Sequence, residues 1–138
     1  MPDSALVAYF RDRDGADPAG ALDRLASDVA YHLMPKPGVE ISGTGRERLR
    51  ATLAGMTGRP GRHRLVAARI ADGVQLVVGH RIEDGEPVGT FLAAATTSAS
   101  GEISQYVGAF FDSMNLSGLD SGDGPVPAEQ AAGEGRAG

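Results

Sequence analysis

The sequence predicts an α+β fold in which N-terminal helices pack on a curved, mainly antiparallel sheet. Three observations predict it. Capped, helix-patterned segments are confined to the first part of the chain, before Gly55. From Arg64 onward the pattern changes to strand-like runs rich in Val, Leu, Ile and Ala. Asp72-Gly73 and Asp84-Gly85 punctuate those runs, and Asp-Gly suits a turn that needs positive φ. Helices followed by a meander is an α+β order, not a βαβ one.

The elements follow in chain order. Ala5 to Arg13 reads as an opening helix with Leu6, Tyr9, Phe10 and Arg13 on one face. Asp17-Pro18 starts a second helix, with aspartate at the N-cap and proline at the first helical position. Leu22, Leu25 and Ala26 form its apolar stripe, and Asp28 closes it. Val29 to Met34 reads as a short strand, and Pro35 and Pro37 break regular pairing after it. Thr44-Gly45-Arg46-Glu47 has capping-box spacing and opens a third helix, on which Leu49 and Leu53 share a face. Four strands then run from Leu65 to Ala71, Val74 to Ile82, Val88 to Thr97 and Glu102 to Phe111. Ser98-Ala99-Ser100-Gly101 joins the last two.

Composition sets the outer bounds. A chain of 138 residues with 41% hydrophobic content suits one domain with a real core. The domain is expected over 1–116. Residues 117–138 form an acidic Gly/Pro/Ala-rich tail without periodicity, expected to be disordered because too few large apolar groups offset its ordering entropy. With no cysteine there is neither a disulfide framework nor a thiolate site. A net charge of -5 argues against a general polyanion binder, so no nucleic-acid partner is expected. No membrane partner is expected either, since no run reaches spanning length and the first residues lack a basic start before an apolar block. Cytoplasmic residence is the resulting expectation. Arg46, Arg48, Arg50, Arg59, Arg62 and Arg64 form the densest basic region, read as a solvated helix face and loop. His32, His63 and His80 are scattered without paired carboxylates, so no metal site is expected.

The order of helices, short strand and long meander resembles the nuclear-transport-factor-2-like (NTF2-like) cone fold. That superfamily includes SnoaL-like polyketide cyclases, ketosteroid isomerases and limonene epoxide hydrolases. Asp28 to Pro37, DVAYHLMPKP, is similar to the D-x-x-Y-x-N-M-P-x-P stretch of limonene epoxide hydrolase, and Thr52 to Gly55 to its helix. Gly101-Glu102-Ile103, Tyr106 and Phe110-Phe111-Asp112 fit the family's last strand. The resemblance spans residues 5–116 and implies a cone with a pocket between sheet and helices. It also implies a homodimer formed through the exposed sheet face.

The families' catalytic sets do not carry across. Tyr31 matches the hydrolases' tyrosine, but Leu33 replaces their asparagine. Arg81 and Glu83 resemble their arginine and first acid, with Glu83 expected at a hairpin tip, and the second acid falls near Gly108. Against the isomerases, Tyr9 fits the oxyanion-holding tyrosine, whereas the general-base aspartate falls at Leu33 and the second acid near Ala93.

A two-residue Asp84-Gly85 loop pairs Glu83 with Glu86. Continued without interruption, the ladder pairs His80 with Gly89, Val78 with Phe91 and Leu76 with Ala93. Alternation places these residues on one face, which the resemblance assigns to the cavity. It also sends Tyr31, Leu33 and Tyr106 inward, and Met34 completes the expected pocket. The expected function is therefore a cofactor-independent isomerase or polyketide-cyclase-type enzyme acting on a small hydrophobic carbonyl compound. Tyr9 or Tyr31 would hold the oxyanion and His80 would move the proton. The alternatives are a non-catalytic ligand-binding or accessory protein of the same fold, and an epoxide hydrolase of altered mechanism.

Overall fold

The computed structural model describes residues 3–55 and 61–112. The expected tail at 117–138 lies outside the described residues. Helix α1, Ala5–Arg13, begins where the Ser4 side chain accepts a hydrogen bond from the Val7 amide at 3.1 Å. Arg11 and Arg13 in its last turn suit the negative end of the helix dipole. The Asp17-Pro18 start opens a 3-10 helix, Pro18–Arg24, with the Asp17 carboxylate accepting from the Gly20 amide.

That helix is shorter than its apolar stripe suggests, because Leu25 and Ala26 already belong to strand β1, Leu25–Lys36. Asp28 is therefore a strand residue and not a helix stop. The Pro-rich stretch turns at Pro37-Gly38 into β2, Val39–Thr44, which returns along β1. Helix α2, Arg46–Gly55, follows without a capping box. Gly45, at φ +111°, accepts the Leu49 amide at 3.0 Å, so it occupies the cap position that spacing assigned to Thr44. Glu47 instead pairs with Arg50 on the helix surface.

Strands β3 (Arg62–Ala71), β4 (Val74–Glu83), β5 (Glu86–Thr97) and β6 (Ile103–Phe111) form the expected meander. Both Asp-Gly turns have positive φ at both residues. The sheet order is β2-β1-β6-β5-β4-β3. Only β1 and β6 run parallel, bringing Tyr31 opposite Tyr106 and Leu33 opposite Gly108. The sheet is curved and open, and the helices cover its inner face, so the fold is the α+β cone expected.

The core sits between that face and α1. Leu6, Tyr9, Leu25, Val29, Leu49 and Ile103 are fully buried. Leu6 also ties helix to sheet, its first-turn amide donating to Gln75 Oε1 on β4 at 2.9 Å. Glycines let the curved sheet seat large rings. A methyl group at Gly79 would lie 2.8 Å from the Phe91 ring, and one at Gly89 would lie 2.6 Å from the Phe110 ring. Strand alternation sets the direction of the rings, and the missing side chains leave room for them.

The β4–β5 register differs from the uninterrupted ladder. Glu83 pairs with Glu86 as expected, and Ile82 with Pro87, but Arg81 pairs with Gly89, leaving Val88 as an extra residue. Beyond this bulge His80 faces Thr90, Gly79 faces Phe91, Val77 faces Ala93 and Leu76 faces Ala94. A one-residue shift exchanges the two faces of a strand. Pro87 supplies the reason: it has no amide to give the ladder at that point.

Candidate functional site: the mouth of the cone

The shift relocates three expected pocket residues. Gly79 pairs with Phe91, whose ring packs on Phe10 of α1 at 5.0 Å, so this face of β4 is the inner one. Leu76, Val78 and His80 therefore stand on the outer face. Leu76 is 43% exposed there. His80 is buried, but away from the tyrosines, and the inward general base expected at that position is corrected. Phe91 and Ala93 do face inward, by virtue of the same shift.

Tyr9, Tyr31, Leu33 and Tyr106 are buried on the inner side, though not at one point. Tyr31 lies over Gly43, its hydroxyl toward β2 and Arg48, and does not line the mouth. Tyr9 is wholly buried between Phe10 and Tyr106, with edge contacts at 5.3 and 5.4 Å. Its hydroxyl accepts a hydrogen bond from Arg13 Nη1 at 2.9 Å. Tyr106, Leu33, Met34 and Phe91 line a cavity of about 510 Å³ that opens at the end of the cone.

Around that cavity stand polar groups that the sequence reading left out. Asp14 follows α1, its amide donating to Phe10 O at 3.2 Å. It accepts the His63 backbone amide at 2.6 Å on one carboxylate oxygen, and the other lies 3.0 Å from His63 Nδ1. Burial raises the Asp14 carboxyl, but the hydrogen bonds and charge of His63, joined by Arg13, outweigh it and hold the group below its ordinary value. An ionised carboxylate only accepts, so His63 Nδ1 carries the proton and Nε2 is the basic nitrogen of the neutral ring. Among the described residues Nε2 has no hydrogen-bond partner. The ring is gripped by Phe10 at 5.0 Å and Phe91 at 4.9 Å.

Arg81 and Glu83 complete the mouth. They are two residues apart on β4, hence on one face, and Arg81 Nε donates to Glu83 Oε2 at 3.0 Å. Glu83 closes the hairpin opposite Glu86, as expected, yet its side chain is largely covered. Deeper in, burial pushes the Tyr106 hydroxyl well above its ordinary value; Tyr9 adds to the effect and the Arg13 charge opposes it. Tyr106 thus stays protonated and able to donate. The assembly has an apolar wall, an oriented imidazole, a hydroxyl donor and a guanidinium. These are the parts that proton transfer beside a carbonyl requires.

His63 was legible in principle. It alternates with Leu65, so extending the strand back by three residues to Arg62 would have turned it inward with that leucine. Its partner was not legible, since Asp14 is 49 residues away and meets it only through the packing of α1 on the sheet.

A second depression, about 580 Å³, lies on the outer face, lined by Leu76, Val78, Leu92, Ala94 and Val107. It is larger but nearly all hydrocarbon, with His32, Glu40 and Arg69 as its charged or titratable side chains. The mouth gathers more titratable side chains: Arg13, Asp14, His63, Arg81, Glu83 and Tyr106. Among the described residues no cluster of three or more His, Asp or Glu could hold a metal, and no helix is long and apolar enough to cross a membrane.

No protein-family model matches the chain, and no curated protein matches its sequence. Solved structures match its shape. A candidate isomerase of the SnoaL-like family from Agrobacterium tumefaciens superposes with a TM-score of 0.57 at 16% identity, covering 77% of this chain and 93% of that one. A candidate polyketide cyclase from Sinorhizobium meliloti gives 0.58 at 19%, covering 78% and 94%. An NTF2-like protein of unknown function from Burkholderia pseudomallei gives 0.62 at 16%, covering 77% and 87%. At these identities the likeness is one of fold: the chain has the NTF2-like α+β cone fold, in company with SnoaL-like and ketosteroid isomerase-like structures.

Proposed function

We propose that the protein is a cofactor-independent acid–base enzyme, of isomerase or cyclase type, acting on a small hydrophobic carbonyl compound in the mouth of the cone. One observation carries the reading: the His63 ring packs against two phenyl rings with Nδ1 on Asp14, at a cavity with both apolar and charged walls. His63 Nε2 takes a proton from the carbon next to the carbonyl. The C–H electron pair moves into an enolate, and the charge on oxygen is met by the Tyr106 hydroxyl, with Tyr9 and Arg13 behind it. Returning the proton to a different carbon gives isomerisation; attack of the enolate carbon on a second carbonyl, with the proton passing from His63 to the new alkoxide, gives cyclisation. The proton-moving role expected of His80 thus passes to His63, and the oxyanion role expected of Tyr9 or Tyr31 passes to Tyr106. The neighbours described as a candidate isomerase and a candidate polyketide cyclase are compatible with this chemistry.

Solvent-deuterium exchange tests it without knowledge of the natural substrate. A panel of small cyclic ketones and diketones in deuterated buffer is followed by proton NMR. At least one member is expected to exchange its α-protons faster with the protein than with buffer alone. Binding across the panel with no accelerated exchange would defeat the enzyme reading and leave a ligand-binding or accessory protein of the same fold.

The outer face supports a homodimer. Leu76, Leu92 and Val107 are each 43–49% exposed, on a sheet face that no helix covers among the described residues. A second copy placed face to face would bury them. Sedimentation is expected to give a dimer at micromolar concentration and a monomer for Leu92→Glu, which puts a charge into that contact. A monomeric wild type would rule the pairing out.

A further inference from the structure

Among the described residues, one charged group of the mouth has no hydrogen-bonded counter-charge. Both oxygens of Asp14 are engaged by His63, and Arg81 donates to Glu83. Arg13 lines the same cavity, and its hydrogen-bond partner among the described residues is the neutral Tyr9 hydroxyl. Its guanidinium carbon lies 5.8 Å from the centre of the Tyr9 ring, and among the described residues it forms no ion pair with a carboxylate. A guanidinium has five N–H donors in a planar fork, and only one is accounted for here. Asp14 favours the cation by its charge, but no carboxylate is hydrogen-bonded to the fork among the described residues, and the partner that best fits its open donors is a bidentate carboxylate.

We infer that the mouth takes a small hydrophobic carboxylic acid, its carboxylate paired with Arg13 and its hydrocarbon body against Phe10, Leu33, Phe91 and Phe110. The cavity separates those two needs. Arg13 ends α1 on one side, while the phenyl rings and Leu33 rise from the sheet on the other. Asp14 does not take the ligand's place, because no hydrogen bond or ion pair joins it to Arg13 among the described residues. The inference rests on the mouth being the active site, and it adds to the carbonyl compound proposed above an acid group that anchors it. A keto acid whose reactive carbon meets His63 is the substrate class that satisfies both.

Matched probes test it: phenylacetate and phenylacetamide, of nearly equal size but differing in charge, titrated into the full chain by calorimetry. Wild type is expected to bind the acid about tenfold or more tightly than the amide, the ratio that one net charge-assisted pair supplies. Arg13→Gln should abolish the preference. Arg13→Lys keeps the charge but loses the fork, so it should retain only part of it and provides the second reading if the glutamine variant fails to fold. Equal binding of acid and amide by wild type, no binding of either at millimolar concentration, or an undiminished preference in the Arg13 variants would overturn the inference. His63→Gln should keep the preference. In the wild type, a preference for the acid without any catalysed exchange would sink the enzymatic reading and leave the acid site standing.

Discussion

Replacing His63 by glutamine is expected to lower the catalysed exchange rate by about 10²–10⁴-fold, the usual contribution of a positioned general base. Glutamine retains a polar side chain and has no basic nitrogen, so the loss should appear in turnover more than in binding of the ketone. Asp14→Asn should remove a comparable share by a different route. The asparagine amide can donate to Nδ1, which favours the tautomer with the proton on Nε2, and that tautomer cannot accept one from substrate. His80→Ala is expected to leave the exchange rate at the wild-type level, measured below its melting temperature, because His80 faces the other side of the sheet. Exchange that survives in His63→Gln and disappears in His80→Ala would reverse the assignment.

Tyr9→Ala is expected to cost about 3–5 kcal/mol of stability, as large-to-small changes at buried aromatic positions do. Tyr9 is 0% exposed and stands between Phe10 and Tyr106, where α1 meets the sheet. Its removal would leave a cavity under α1 and release Arg13 from its hydroxyl partner. Against a total stability of roughly 5–15 kcal/mol, such a loss takes a large share of the fold. Tyr9→Phe keeps the ring and should cost only about 1 kcal/mol, the net worth of the hydrogen bond. Chemical denaturation of the three proteins checks both values. A Tyr9→Ala cost below that of Tyr9→Phe would mean that α1 does not pack as described.

The fold was legible because its signals are local. Asp17-Pro18 and the two Asp-Gly turns each act within a few residues, and each stands where the sequence placed it. Strand β2 was missed because Val39 to Thr44 has too few large apolar residues to announce itself; its pairing with β1 supplies what its own pattern lacks. The candidate site was legible only in part, for one reason at β4 and another at Asp14. Pro87 and Gly89 bracket the bulge, and a proline in a hairpin arm is a reason to expect one. Read that way, the ladder would have put Val77, Gly79 and Arg81 inward in place of Leu76, Val78 and His80. The partnership of Asp14 with His63 arises from tertiary packing, and no periodicity in the chain encodes it. Leu33 and Tyr106 were expected inward from the family resemblance alone, independently of that ladder, and both line the mouth.

The state of the His63 ring is the most direct test of the central claim, that an Asp14-oriented imidazole serves the mouth as a base. Long-range proton–nitrogen correlation NMR distinguishes a protonated ring nitrogen from a bare one. At a pH where the ring is neutral, His63 is predicted to carry its proton on Nδ1 and none on Nε2, with Nε2 shifting when a ketone that exchanges is added. Asp14→Asn should move the proton toward Nε2. A neutral wild-type ring protonated on Nε2, or one indifferent to both ligand and Asp14→Asn, would contradict the account.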